Sequence, residues 1–333
     1  MRSIAVLAAI CGLALLTGLT VYYGFGAVMA AVASSRWATV LVVAARAAAL
    51  VGAGIGWWAL VPARQLGPSA FVLLRFVREG INTFFPLAVV GGDVIGARLL
   101  AQFGVATKLA VASVLVDVFI QVVCLIVFVL AGVGIVASLV GNRTVTSTAI
   151  GLIAIAVPAV TGFFLTLKFG ASESVVRWLT AFGEKRQWRA FDHVVDIGAR
   201  LQEIWGNYRG LAESFVIHIV TIFFGAVEVW IALKFMNYPV GVMEAVAIES
   251  LGQGSHSAAF VLPGGMGVQD GALIAVCALF GIPAEVALAM ALIKRVPDLI
   301  LGAPALMGWQ ALEGRRVLIA NDQDAHSREQ GKP

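Results

Sequence analysis

The chain has 333 residues, 60% of them hydrophobic and 13% charged, with mean hydropathy +0.94. A soluble domain carries about 25% charged residues, so these values exclude an ordinary water-soluble module and put the chain in the membrane class. The net charge of +4 comes from basic residues that follow membrane topology rather than forming a patch, and no nucleic-acid partner is expected.

No residue between Arg2 and Arg36 is charged. That run is longer than the apolar core of a signal peptide, so an uncleaved first crossing is expected at 3–24. Further crossings, each meeting the ~20 apolar residues a spanning helix needs, are predicted at 37–61, 108–140, 145–167, 211–236 and 283–311. Asp117 to Arg143 and Arg143 to Lys168 each enclose an uncharged run of spanning length. Two regions, 66–104 and 240–280, do not fit as simple crossings, because a Pro and a Gly pair interrupt each near its middle. They read as helix–break–helix hairpins that enter and leave by one face, an arrangement tolerated at depth only inside protein or around a wet cavity. The expected fold is therefore all-α and polytopic, with six full crossings and two re-entrant hairpins.

Segment 172–208 alternates apolar and charged residues at helical spacing. Two readings stand: a helix on the cytoplasmic interface, or a surface helix packed on the protein's own core. The polar stretch 314–333 is expected to be disordered. Most of the 23 Lys and Arg residues fall on one side of this topology, among them Arg75, Arg78 and the basic residues from Lys168 to Arg209. That side is expected to be cytoplasmic and to hold both termini. Cys11, Cys124 and Cys277 are scattered through apolar stretches, which predicts neither a disulfide framework nor a metal site.

The two broken segments match at one fixed offset, without gaps. Pro86 falls on Pro263, Asp93 on Asp270, Phe103 on Phe280 and Gly104 on Gly281. Three crossings separate them, and an odd number inverts the second copy. Residues 1–140 and 141–313 then form two inverted halves, a pattern that points to a transporter with its site at the midplane. Gly91, Gly92, Gly264, Gly265 and Gly267, with Pro86 and Pro263, are the expected break and hinge positions.

Charges at depth are functional candidates by default. Those expected along the substrate pathway are Arg78, Glu79, Asn82, Asp93, Arg98, Asp117, His256, Gln269, Asp270, Lys294, Arg295 and Asp298. Arg46, Gln121, Glu228, Glu249 and Gln253 also lie at depth. Several alternatives stay open. Asp93 and Asp270 could bind a head group or cap their own helices, Lys294 and Asp298 could pair at i,i+4, and His256 could titrate or only hydrogen-bond. No phosphate-cradling loop, H-E-x-x-H or G-x-S-x-G motif is present, so no catalytic residue, cofactor or metal is expected.

Arg78-Glu79-Gly80-Ile81-Asn82 leading to Gly91-Gly92-Asp93, then Phe103-Gly104 and Ala112 to Asp117, resembles the first signature of the lysylphosphatidylglycerol synthase-like transmembrane (flippase-domain) family. Leu262 to Gly271, with Phe280-Gly281 and Leu292-Ile293-Lys294-Arg295, resembles the second, with Asp270 where Glu is more usual. The ending Gly302 to Gln310 is similar to the hopanoid-biosynthesis-associated branch. The resemblance implies a bacterial inner-membrane protein that moves a lipid, a hopanoid or a phospholipid, between leaflets. Two-domain members carry a soluble aminoacyl-transferase domain after the membrane part. The sequence reaches Pro333 without one, so synthase activity is not expected. A lipid head-group-modifying enzyme and a non-catalytic partner of lipid-synthesis enzymes are the competing readings.

Overall fold

The computed structural model describes residues 36–62, 66–84, 91–140, 197–259 and 265–330, with Gly162 between. The expected crossings 3–24 and 145–167 lie outside the described residues, as do most of 172–208, Pro86, Pro263 and Gly264. Among the described residues all regular structure is helical. The helices are α1 (Arg36–Leu60), α2 (Pro68–Phe84), α3 (Gly91–Gln102), α4 (Thr107–Val140), α5 (Ile197–Gly206), α6 (Tyr208–Phe235), α7 (Val242–Ala259), α8 (Gly265–Leu279) and α9 (Ala284–Gln330). Three of them, α1, α4 and α6, are long and apolar enough to cross a membrane. At 1.5 Å per residue, the 34 residues of α4 reach about 51 Å, well beyond the ~30 Å hydrocarbon core. The chain is a helical, multi-pass membrane protein.

Each region that would not fit as a crossing holds two helices that pack on each other. Arg78 on α2 meets Asp93 on α3, and Asn82 meets Gly92, so the two helices run antiparallel. In the second pair, α7 and α8 pack against each other. Both pairs end identically. The Gly104 N–H donates to the Ala101 carbonyl and the Val105 N–H to the Leu100 carbonyl. At the matching positions of the second pair, Gly281 and Ile282 donate to Ala278 and Cys277. These are two Schellman ends. Their glycines have φ +103° and +72°, the left-handed region that L side chains avoid.

The packing is mirrored as well. α1 lies along α6. α2 packs on α1 and α9, while α7 packs on α6 and α4. α3 packs on α4, and α8 packs on α9. Every one of these contacts has its counterpart when α1 to α4 are exchanged with α6 to α9. Close helix approach relies on glycine: a Cβ at Gly80 of α2 would sit 2.8 Å from the Gly302 carbonyl oxygen of α9.

Two expectations are corrected or decided here. Backbone 314–330, expected as a disordered tail, continues α9 to Gln330. Between Gly314 and Gly331 there is neither Gly nor Pro to stop a helix. The described part of 172–208 is α5, which buries Leu201 and Ile204 in the core and stacks Trp205 edge-on to Phe119 at 5.5 Å. α5 thus packs on the protein's own core.

Candidate functional site

A cavity of about 410 Å³ opens between α1, α2, α4 and α6, with Asp93 of α3 and Gln253 of α7 also in its lining. Its polar lining comes from Arg46, Arg75, Arg78, Glu79, Asn82, Asp93, Gln121, His218, Glu228 and Gln253. Charged groups this deep in apolar helices survive only when paired, and these are joined into two networks.

The first network centres on Asp117, which is fully buried on α4. Arg78 Nη1 donates to its Oδ2 at 2.8 Å, and Gln121 Nε2 donates to the same oxygen at 2.8 Å. His218 Nε2 lies 3.0 Å from Oδ1, and Arg75 stands 3.9 Å away. Arg78 is itself 2% exposed. Its Nε donates to Asp93 Oδ1 at 3.0 Å, and its guanidinium carbon lies 4.7 Å from the centre of the Trp57 ring, a cation–π contact. Trp57 is held in turn by donating to Ser113 Oγ at 3.1 Å and by an edge contact with Phe71. The guanidinium needs Gly96, where a Cβ would collide with Arg78 Cγ and Cδ. Asn82 Oδ1 accepts from the Gly92 N–H at 3.0 Å. It thereby satisfies one of the unpaired donors at the start of α3, while the Asp93 carboxylate goes to Arg78. Arg75 also reaches Glu79 at 3.5 Å.

The second network joins α1, α6, α7 and α9. Lys294 binds Glu249 directly and stands 4.0 Å from Glu228. Gln253 Nε2 donates to the other Glu249 oxygen at 3.0 Å. Arg46 reaches Glu228 at 3.1 Å and Asp298 at 3.8 Å. Glu228 is wholly buried, and neither of its oxygens accepts a hydrogen bond of good geometry.

Of the residues expected from the sequence, Arg78, Glu79, Asn82 and Asp93 line the cavity, and Asp117 stands directly behind it. Lys294 and Asp298 belong to the second network but take separate partners, Glu249 and Arg46, rather than each other. Arg98 lies apart, in a different hollow of about 440 Å³ lined mainly by apolar side chains of α3 and α4. Arg295 is outside the cavity lining. The side chains of His256, Gln269 and Asp270 lie outside the described residues; the backbone from Gly265 through Asp270, Gly267 included, begins α8. Gly91 and Gly92 begin α3, and Gly92 is buried where a Cβ would meet the Arg78 carbonyl. Arg75 and Arg78, counted with the cytoplasmic basic residues, both sit on α2 and line the cavity, because each has buried carboxylates within reach.

Sequence reasoning passed over His218 and Arg75. His218 interrupts the apolar run of α6 just as Glu228 does, and the rule that flagged Glu228 applies equally to it. Arg46, Gln121, Glu228, Glu249 and Gln253 were visible as polar residues at depth but carried no mark of their partners.

The model of the family described as the lysylphosphatidylglycerol synthase TM region matches residues 4–305. No curated protein and no solved structure matches the chain. The family match takes in both helix pairs, the cavity and both charge networks, and the chain therefore belongs to the lysylphosphatidylglycerol synthase TM-region family.

Proposed function

We propose that this protein is a lipid translocator, in which a polar head group crosses through the central cavity while the acyl or polycyclic tail stays in lipid. The observation that carries the reading is the cavity itself: about 410 Å³, within the ~300–1,000 Å³ range of small-molecule sites, lined by charges of both signs between helices built to span. Charge of that kind at depth is costly, and a path for head groups accounts for it. The mirrored packing and the twin Schellman ends favour an inverted repeat. In that arrangement α2–α3 and α7–α8 act as re-entrant hairpins, and the cavity opens alternately to each leaflet. We place the protein in the bacterial inner membrane with both termini cytoplasmic, and we take it to be a carrier rather than an enzyme. Family resemblance favours a hopanoid or a phospholipid as cargo.

The test is reconstitution into liposomes holding fluorescent lipids of several classes, hopanoid included, with a membrane-impermeant quencher outside. At least one class should exchange between leaflets faster than in protein-free vesicles, and Glu228→Gln should slow it. If every class stays put in vesicles containing folded protein, the reading fails.

A further inference from the structure

We propose that Glu228 of α6, with Gln253 of α7, is a subsite for hydroxyl groups, and that the cavity therefore selects a lipid head group that joins a phosphate to a polyol. The inference rests on the reading of the cavity as a head-group site. The Glu228 side chain has no exposed surface, yet it lines the cavity. Neither of its oxygens accepts a hydrogen bond of good geometry from any described residue. Buried polar groups are almost always hydrogen-bonded, and one left without a donor is costly. The open space beside Glu228 is the cavity, and a guest held there can supply the donor.

The neighbouring cations do not fill this need. Arg46 Nη2 stands 3.1 Å from Glu228 Oε2, and Lys294 Nζ stands 4.0 Å from the same oxygen. Oε1 is the farther oxygen from both. Each cation also answers to a second carboxylate: Arg46 Nε lies 3.8 Å from Asp298, and Lys294 binds Glu249 directly. What Glu228 lacks is a directed donor. An ammonium group would add a further cation against Arg46 and Lys294, where like charges a few ångströms apart repel strongly away from water. A hydroxyl donates its hydrogen and adds no charge. Gln253 supplies a second acceptor in the same lining. Its Nε2 is used on Glu249, which leaves the amide oxygen for a guest. Two acceptors suit the neighbouring hydroxyls of a polyol.

Donors come from α1 and α2. Arg46 and Arg75 both line the cavity, and the buried Nε of each donates to no described acceptor. Guanidinium N–H groups suit phosphate oxygens. The lining thus offers donors from one pair of helices and acceptors from another, the complement of a phosphodiester that carries free hydroxyls.

The experiment measures binding of fluorescent phosphatidylglycerol to the detergent-solubilised full chain by anisotropy, with unlabelled lipids as competitors. Phosphatidylglycerol should compete about tenfold better than phosphatidylpropanol, which has the same charge and length but no free hydroxyl; that is the size expected for a hydrogen bond to a charged acceptor. Phosphatidylethanolamine, which brings an ammonium, and a neutral glycosyl diacylglycerol, which has hydroxyls without phosphate, should each compete at least about tenfold more weakly than phosphatidylglycerol. In Glu228→Gln the preference over phosphatidylpropanol should shrink to about twofold, with affinity for phosphatidylpropanol itself little changed. A merely structural loss would weaken both lipids together.

Equal competition by phosphatidylglycerol and phosphatidylpropanol in the wild-type chain overturns the subsite, and this comparison needs no variant to fold. So does phosphatidylethanolamine or the glycolipid matching phosphatidylglycerol, or a preference that survives Glu228→Gln. Binding is read without transport, so the two readings fail separately. The expected binding pattern without leaflet exchange in liposomes sinks the translocator and supports the subsite. Leaflet exchange with no preference for hydroxyls does the reverse.

Discussion

The Arg78 network and the Glu249 network each tie a helix pair to a long neighbouring helix, and the central ion pair is reversed between them. In the first, the helix pair supplies the cation and α4 supplies the anion, Asp117. In the second, the helix pair supplies the anion, Glu249, and α9 supplies the cation, Lys294. Lys294 falls on Asp117 at the same offset that sets Pro263 on Pro86. The two units share a backbone pattern and exchange their charges. A cavity between two such units is electrically lopsided, with arginines facing it from α2 and an underbonded carboxylate, Glu228, facing it from α6. If the proposed translocation takes place, a head group in the cavity has different partners on each side.

Removing the centre of the first network should have the largest effect. Arg78→Ala strips the direct cation from both Asp93 and Asp117, leaving Arg75 at 3.9 Å and His218 to compensate. Loss of one partner of a buried ion pair costs about 3–5 kcal/mol, and the empty space under Trp57 adds to it. Denaturant or thermal unfolding in detergent should show a loss of that size. A loss below about 1 kcal/mol would mean that Asp117 is neutral in the folded protein, and the first network would then not be ionic.

The second network should prove softer. Lys294 is 14% exposed at its side chain, and Arg46 remains beside Glu228 when it is removed. Lys294→Ala and Glu249→Gln, alone and combined, form a double-mutant cycle whose coupling should lie at about 1–3 kcal/mol. The double variant should be more stable than the two separate losses added together. Coupling equal to that of Arg78 with Asp117, measured in the same way, would erase the distinction between the networks.

The sequence was legible where the signal was local. Apolar stretches of spanning length marked α1, α4 and α6, because such a stretch is decided by neighbouring residues. Pairing was not legible. Arg78 and Asp117 are 39 residues apart, Lys294 and Glu249 are 45, and His218 and Asp117 are 101. Nothing in the intervening chain encodes which helices will touch. Lys294 and Asp298, adjacent on one helix face, looked like partners, yet the packing of α7 and α1 offered each a different one. His218 was passed over although a single imidazole in a 28-residue apolar helix meets the same rule that flagged Glu228.

The smallest expected effect tests whether the backbones of the two units match while their charges differ. Gly104 and Gly281 close α3 and α8 with positive φ, and a Cβ added at either would meet nothing within 4 Å. An alanine at either position therefore pays only the left-handed backbone penalty, about 1–2 kcal/mol, with no steric contribution to separate them. Gly104→Ala and Gly281→Ala should lower stability by amounts equal to within about 0.5 kcal/mol, and each asparagine variant should cost less than its alanine counterpart, because asparagine visits this region more readily. A clear inequality, read by thermal unfolding of the two variants side by side, would show that one end is strained by its surroundings. The units would then share a hydrogen-bond pattern without sharing its energetics.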